Sequence, residues 1–395
     1  MPVKTTPRTK MVSIGAWTLG ETLGRGAYAH VRLATHANGH QAACKILPAL
    51  HRPRRRPLTT NELMDAVEAY KEVVILKGLA GSGTQGIVGL EGIMEENGWT
   101  YIFLELYPYS LSSVPGPWPA RELVPFYRAL LHTVHNLHTL DVCHEDLKRS
   151  NILVDHERHP VLVDFGFSHL AVDGEVVKSA GGTLDYSSPE KIASQRLEEQ
   201  DMQDMTSQRY DPRSSDVWAL GIVLTKMLGM PHPFLTGSDD EASDDFRKRI
   251  IECDPRIDVP PLKSDASEHL VSLLEGILEK DPVQRLTIPQ ILQHPFVYAS
   301  HGDPPPFSPP SYQLSPRVKR RFDASVIRDL CFLSYLRKEF RLCQTPMDVE
   351  QRLYGDEPGW LKRWAVMLSR WRQRAEMDWE DTVPRVLEIN VRRTC

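Results

Sequence analysis

The stretch Cys143-His144-Glu145-Asp146-Leu147-Lys148-Arg149-Ser150-Asn151 brings a carboxylate, an ammonium and a carboxamide together, and the apolar run Ile152-Leu153-Val154 follows at once. A second apolar run, Val161-Leu162-Val163, ends in Asp164-Phe165-Gly166. Upstream, Lys45 closes Ala42-Ala43-Cys44-Lys45, where a buried ammonium would be costly without an anion. Glu72, just ahead of Val73-Val74-Ile75-Leu76, is a candidate partner for it, although a snorkelling surface charge accounts for either residue taken alone. The segment Leu23-Gly24-Arg25-Gly26-Ala27-Tyr28-Ala29-His30-Val31 is a glycine turn that lets backbone N–H groups approach phosphate oxygens, with Val31 placed to cover a ring; alone it fits a plain hairpin equally well. As an ordered set these residues supply a carboxylate to orient a hydroxyl, a cation for a phosphate and oxygen ligands for Mg²⁺. That is the inventory of phosphoryl transfer.

Such groups need a scaffold. Short strands are expected at WTLGETLG, AHVRLATH and QAACKIL from residue 17 onward, with turns at Gly24–Gly26 and Asn38–Gly39. Residues 61–79 read as a helix, and two further strands are expected around 87–94 and 99–106. Beyond these the pattern turns helical, at 121–140, 216–229 and 266–280. A small, mainly β part therefore precedes a larger, mainly α part.

With these motifs in place the sequence resembles the eukaryotic protein kinases over residues 14–298. The resemblance implies a bilobal α+β fold with a small β-rich N-lobe (14–106), a larger α-helical C-lobe (107–298) and ATP in the cleft between them. It implies that Lys45 holds the α- and β-phosphates and pairs with Glu72. Asp146 would be the catalytic base, Lys148 the cation on the γ-phosphate, and Asn151 and Asp164 the Mg²⁺ ligands. Leu23, Gly24, Gly26, Val31 and Ala43 would line the nucleotide site, with the backbone of Glu105 and Tyr107 meeting the adenine and Leu104 as gatekeeper. Ser188-Pro189-Glu190, the Asp216 helix and Arg285, as partner of Glu190, are implied as architecture.

Lys148 two residues after the base, with Thr183 in Gly182-Thr183-Leu184-Asp185-Tyr186, is the serine/threonine pattern of that family, and the Thr183 hydroxyl is expected to bridge base and lysine. Two positions depart from the family: Ala29 replaces the third glycine and Glu145 replaces the usual arginine. An acid at 145 would repel a phosphate on Ser179, so phosphorylation there is expected to be dispensable unless Lys178 or Arg149 supplies the charge. The expected function is transfer of the ATP γ-phosphate to serine or threonine hydroxyls of protein substrates. The competing expectation is a pseudokinase scaffold that binds nucleotide without efficient transfer. A small-molecule phosphotransferase is disfavoured, because Thr183 and Ser188-Pro189-Glu190 suit a peptide-docking wall.

Across 395 residues the net charge is −5, which gives no basic excess for a nucleic-acid partner. Six cysteines lack CxxC spacing, which argues against a disulfide framework or a zinc site. No apolar run approaches the roughly 18 residues of a membrane span, and MPVKTTPRTK lacks a secretory core. No membrane partner is expected, and the expected address is cytoplasmic or nuclear. Residues 1–13 are expected to form a disordered tail and 299–318 a proline-rich linker. Residues 319–395 are expected to form a helical extension, with Trp360, Trp364 and Trp371 at helical spacing. It is similar in placement to the tails of the calcium/calmodulin-dependent-kinase-like group, which makes it the candidate site for a regulatory partner.

Overall fold

The computed structural model describes residues 12–25, 29–48, 71–80, 82–96, 99–171, 181–200, 210–235, 243–259 and 266–298. The expectations placed on Gly26, Lys178, Ser179, the proline-rich linker and the C-terminal extension lie outside them. The chain divides into two compact units. Among the described residues, the first holds those between 12 and 80 with Gly89–Leu106, and the second Ser82–Val88 with those from Tyr107 to Tyr298.

The first unit is one antiparallel sheet and a helix. Its strands are β1 (Val12–Ile14), β2 (Trp17–Arg25), β3 (His30–His36), β4 (Gln41–Pro48), β5 (Leu90–Glu96) and β6 (Trp99–Glu105), in the order β1-β2-β3-β4-β6-β5. Gly39, at φ 89°, takes the turn between β3 and β4 in a conformation that side chains resist. Strand alternation divides the residues of β4 between two faces. Ala42 and Cys44 enter a core with Ile14, Trp17, Leu19, Ala34, Tyr101 and Phe103, where Trp17 stacks on Phe103 at 4.5 Å. Ala43 and Lys45 therefore occupy the opposite face, in register with Leu33 and Leu104, and with Val31 and Ile102, respectively. Helix α1 covers 71–80.

The second unit is mainly helical. Its helices are α2 (Ala120–Thr139), α3 (Pro189–Gln200), α4 (Pro212–Met227), α5 (Ser243–Glu252), α6 (Ala266–Ile277), α7 (Ile288–Gln293) and α8 (Pro295–Tyr298). Five short strands, β7 (Tyr109–Ser110), β8 (Val142–Cys143), β9 (Ile152–Val154), β10 (Pro160–Leu162) and β11 (His169–Leu170), form sheets ordered β10-β9-β7 and β11-β8. Helix α2 buries Leu123, Phe126, Leu130, Val134 and Leu137, spaced three or four apart as an amphipathic helix requires. Helix α4 is apolar on nearly every side and buries Val217, Trp218, Leu220, Ile222, Val223 and Leu224. It is the central support of the unit. The two units give the small β-rich and larger α-helical lobes of a bilobal kinase fold.

Several boundaries differ from the sequence reading. Val12 and Ser13, assigned to the tail, pair with Leu19 and Thr18, because the added strand brings Ile14 into the core. Gly24 extends β2 opposite Val31 instead of opening a turn. The strand expected from 87 starts at Leu90, and Ile87 makes an isolated bridge to Leu162. Helix α4 starts four residues before its expected position, because Asp211 caps it by accepting from the Arg213 N–H and Pro212 fits the first turn. No helix among the described residues is long and apolar enough to cross a membrane.

Candidate active site

In the first unit, Lys45 reaches from β4 to Glu72 on α1, its Nζ lying 2.6 and 2.7 Å from the two carboxylate oxygens. Both residues are buried. An ion pair sunk this far repays its desolvation only when its geometry is good, and bidentate contact supplies that. Val31 and Ala43 flank Lys45 on the same sheet face, and a Cβ added at Gly24 would meet nothing within 4 Å. Leu23 is exposed. At the end of β6 the Glu105 N–H donates to the Gly89 carbonyl at 2.9 Å. Half-buried Tyr107 belongs to the second unit. Burial pushes the Cys44 thiol, next to Lys45, up to about 12, against the pull of Arg32; it is no nucleophile.

In the second unit Asp216 of α4 organises the loop after β8. Its carboxylate accepts from the backbone N–H groups of His144 and Glu145, both at 2.8 Å, and lies 3.0 Å from His138 Nε2. Burial works to raise this carboxyl, but the His138 hydrogen bond and neighbouring donors hold it below its ordinary value. His138, Cys143 and Asp216 converge closely enough to suggest metal ligands. Burial holds the Cys143 thiol protonated and the Asp216 oxygens are already engaged, so the cluster reads as structural.

The loop so held presents Asp146. Its Oδ1 accepts from the Thr183 N–H at 3.0 Å and the Thr183 hydroxyl at 2.9 Å. Its Oδ2 takes Lys148 Nζ at 2.8 Å and Asn151 Nδ2 at 3.0 Å. Lys148 also donates to Thr183 Oγ1 at 2.8 Å, which closes a ring of Asp146, Lys148 and Thr183. Four donors fill the roughly four lone-pair sites of a carboxylate, so Asp146 is fixed in orientation. Asp164, at φ 65°, opens the tight turn Phe165–Phe167, whose Phe165 is buried against His144 at 5.0 Å between ring centroids. The Asn151 amide nitrogen donates to the Asp146 carbonyl as well, at 2.9 Å. That commitment leaves the Asn151 carbonyl oxygen as the atom for a cation. The Asn151 carbonyl and the Asp164 carboxylate are both hard oxygen donors of the kind Mg²⁺ takes.

Three further features bear on the site. Arg285 forks onto Glu190, at 2.6 and 2.9 Å, and also holds the Ser214 carbonyl. Arg149, a candidate counter-charge for a loop phosphate, instead spends its guanidinium on the carbonyls of Leu111 and Val114. Glu145 is buried against Lys191 and Tyr210, two residues to which the sequence reading gave no role. The available signal was Glu145 itself, an acid that, if buried, requires a cation.

The family model described as the protein kinase domain matches residues 17–297. The chain is 28% identical over 302 residues to serine/threonine-protein kinase GIN4 of Saccharomyces cerevisiae, an alignment covering 74% of this chain and 25% of that protein. It is 29% identical over 293 residues to calcium-dependent protein kinase 17 of Arabidopsis thaliana, covering 71% and 49% respectively. The chain thus spans between about a quarter and a half of the length of these relatives.

Proposed function

Because the chain belongs to the protein kinase family, we propose that it is an active serine/threonine protein kinase, transferring the γ-phosphate of ATP to serine and threonine hydroxyls of proteins. The observation that carries this reading is the fourfold hold on Asp146, whose carboxylate is fixed by Thr183, Lys148 and Asn151. A carboxylate fixed in orientation by so many donors is set to orient the incoming hydroxyl and receive its proton, as phosphoryl transfer requires.

The entering hydroxyl needs one of the four filled positions. Lys148 is the donor on Oδ2 with freedom to leave: its side chain is 24% exposed, whereas Asn151 is buried. Moving to the γ-phosphate, it frees an Oδ2 lone pair for the substrate while Thr183 keeps Oδ1 in place. Lys45, steadied by Glu72, binds the α- and β-phosphates. Leu23, Gly24, Val31 and Ala43 line the nucleotide, and the Glu105 carbonyl and Tyr107 backbone meet the adenine. Asn151 and Asp164 hold Mg²⁺, which when bound supplies positive charge to the phosphate oxygens.

The test is incubation with γ-labelled ATP, Mg²⁺ and a peptide mixture bearing serine, threonine and tyrosine, followed by phosphoamino-acid analysis. Label on serine and threonine is expected. Label on tyrosine alone would overturn the substrate class, and tight nucleotide binding with no label would point to a scaffold.

A further inference from the structure

Glu145 immediately precedes Asp146, sits at φ 66° and is 5% exposed. Its carboxylate meets Lys191 Nζ at 2.9 Å and accepts from the Tyr210 hydroxyl at 2.6 Å. Lys191, on α3, also donates to the Glu145 main-chain carbonyl at 2.5 Å. One ammonium thus grips both the side chain and the backbone of the residue before the base. The same ammonium faces the turn that carries Thr183. At Gly182, φ 121°, an added Cβ would lie 3.1 Å from Lys191 Nζ and 3.1 Å from the Glu145 carbonyl oxygen. A small cavity lined by Glu145, Asp146, Thr183, Lys191 and Asp216 puts the pair and the base on shared walls.

A buried lysine–glutamate pair contributes little net stability, because well-packed apolar residues often do as well. What it supplies is geometry. Burial pushes the Glu145 carboxyl up, against the opposing pull of Lys191 and the Tyr210 hydrogen bond.

On the protein kinase reading above, we propose that Lys191 is a positioning residue for phosphoryl transfer, its ammonium clamping the Glu145–Asp146 peptide against the Gly182–Thr183 turn so that Asp146 and Thr183 stay in contact. The clamp is made from charges of the chain itself, Glu145 and Lys191, with the Tyr210 hydroxyl donating to the same Glu145 oxygen, Oε2, that Lys191 meets.

Steady-state kinetics and thermal unfolding of the full chain test this with Lys191→Met, the double variant Glu145→Gln/Lys191→Met, and Tyr210→Phe. The double variant removes both charges, so its melting temperature should return toward that of the wild type. Its kcat should stay down by about 10²-fold, the scale of a 1 Å misplacement, with the KM for ATP within about threefold. Tyr210→Phe should lower kcat by a few-fold. A merely structural role predicts that kcat recovers along with the melting temperature. The proposal is overturned if the folded double variant turns over like the wild type; should Lys191→Met not fold, the double variant and Tyr210→Phe decide. A wild-type chain that transfers no phosphate would sink the kinase reading itself, a result separate from equal activity in wild type and variants.

Discussion

The Lys45–Glu72 pair of the first unit and the Lys191–Glu145 pair of the second have the same chemistry and different settings. Lys45 reaches from a strand to a carboxylate 27 residues away on a helix, and its side chain keeps 10% of its surface exposed. Lys191 keeps 3% and bonds a main-chain carbonyl besides the carboxylate. The first arrangement ties a helix to a sheet face on which Val31 and Ala43 sit. The second ties the chain to itself, next to Asp146. What distinguishes Lys191 is its contact with the peptide before Asp146, which it makes in addition to its carboxylate.

The largest effect that sharpens this contrast is in Lys45→Met. Phosphotransfer should fall by about 10²-fold or more, and the rise in melting temperature caused by Mg-nucleotide should vanish. Glu145→Gln/Lys191→Met should keep that rise, and if both lose it equally the two pairs do not differ as described. Next comes Arg285→Ala. Its guanidinium side chain is fully buried on Glu190, so removing it should cost about 3–5 kcal/mol in chemical unfolding. At a temperature where the variant is folded, kcat should be near that of the wild type, which would mark this third buried pair as architecture alone.

The smallest effect is a pH dependence. Glu145 has a raised carboxyl in the folded chain, chiefly through burial. A raised group contributes stability that is fully present below its unfolded value and is lost as pH rises through the folded value. As pH falls from neutrality toward the ordinary carboxylate range, the wild type should therefore gain unfolding free energy relative to Glu145→Gln. A difference between the two that stays flat or runs the other way would mean that the acid is not held as described.

The polar groups of the site were legible because each stands in apolar surroundings: Lys45 after Ala42-Ala43-Cys44, Asp146 and Asn151 before Ile152-Leu153-Val154, Asp164 after Val161-Leu162-Val163. Period-two and helical spacing likewise located β4, β6 and α2 closely. What spacing could not supply was tertiary pairing. Lys191 and Tyr210 lie 46 and 65 positions from Glu145, and neither has a local pattern that sets it apart from a surface residue. Element ends were also hard to place, because they depend on packing and caps: Ile14 entering the core extends the sheet to Val12, and Asp211 with Pro212 starts α4 early.

The most direct test of the account is single-turnover phosphate transfer from Mg-ATP to a serine peptide by the wild type and by Asp146→Asn, with ATP affinity measured on both. Transfer should fall by about 10³-fold in the variant, while ATP affinity stays within about twofold. Equal transfer by the two proteins would contradict the role given to Asp146, and two silent proteins that both bind ATP would contradict the assignment of catalysis to this chain.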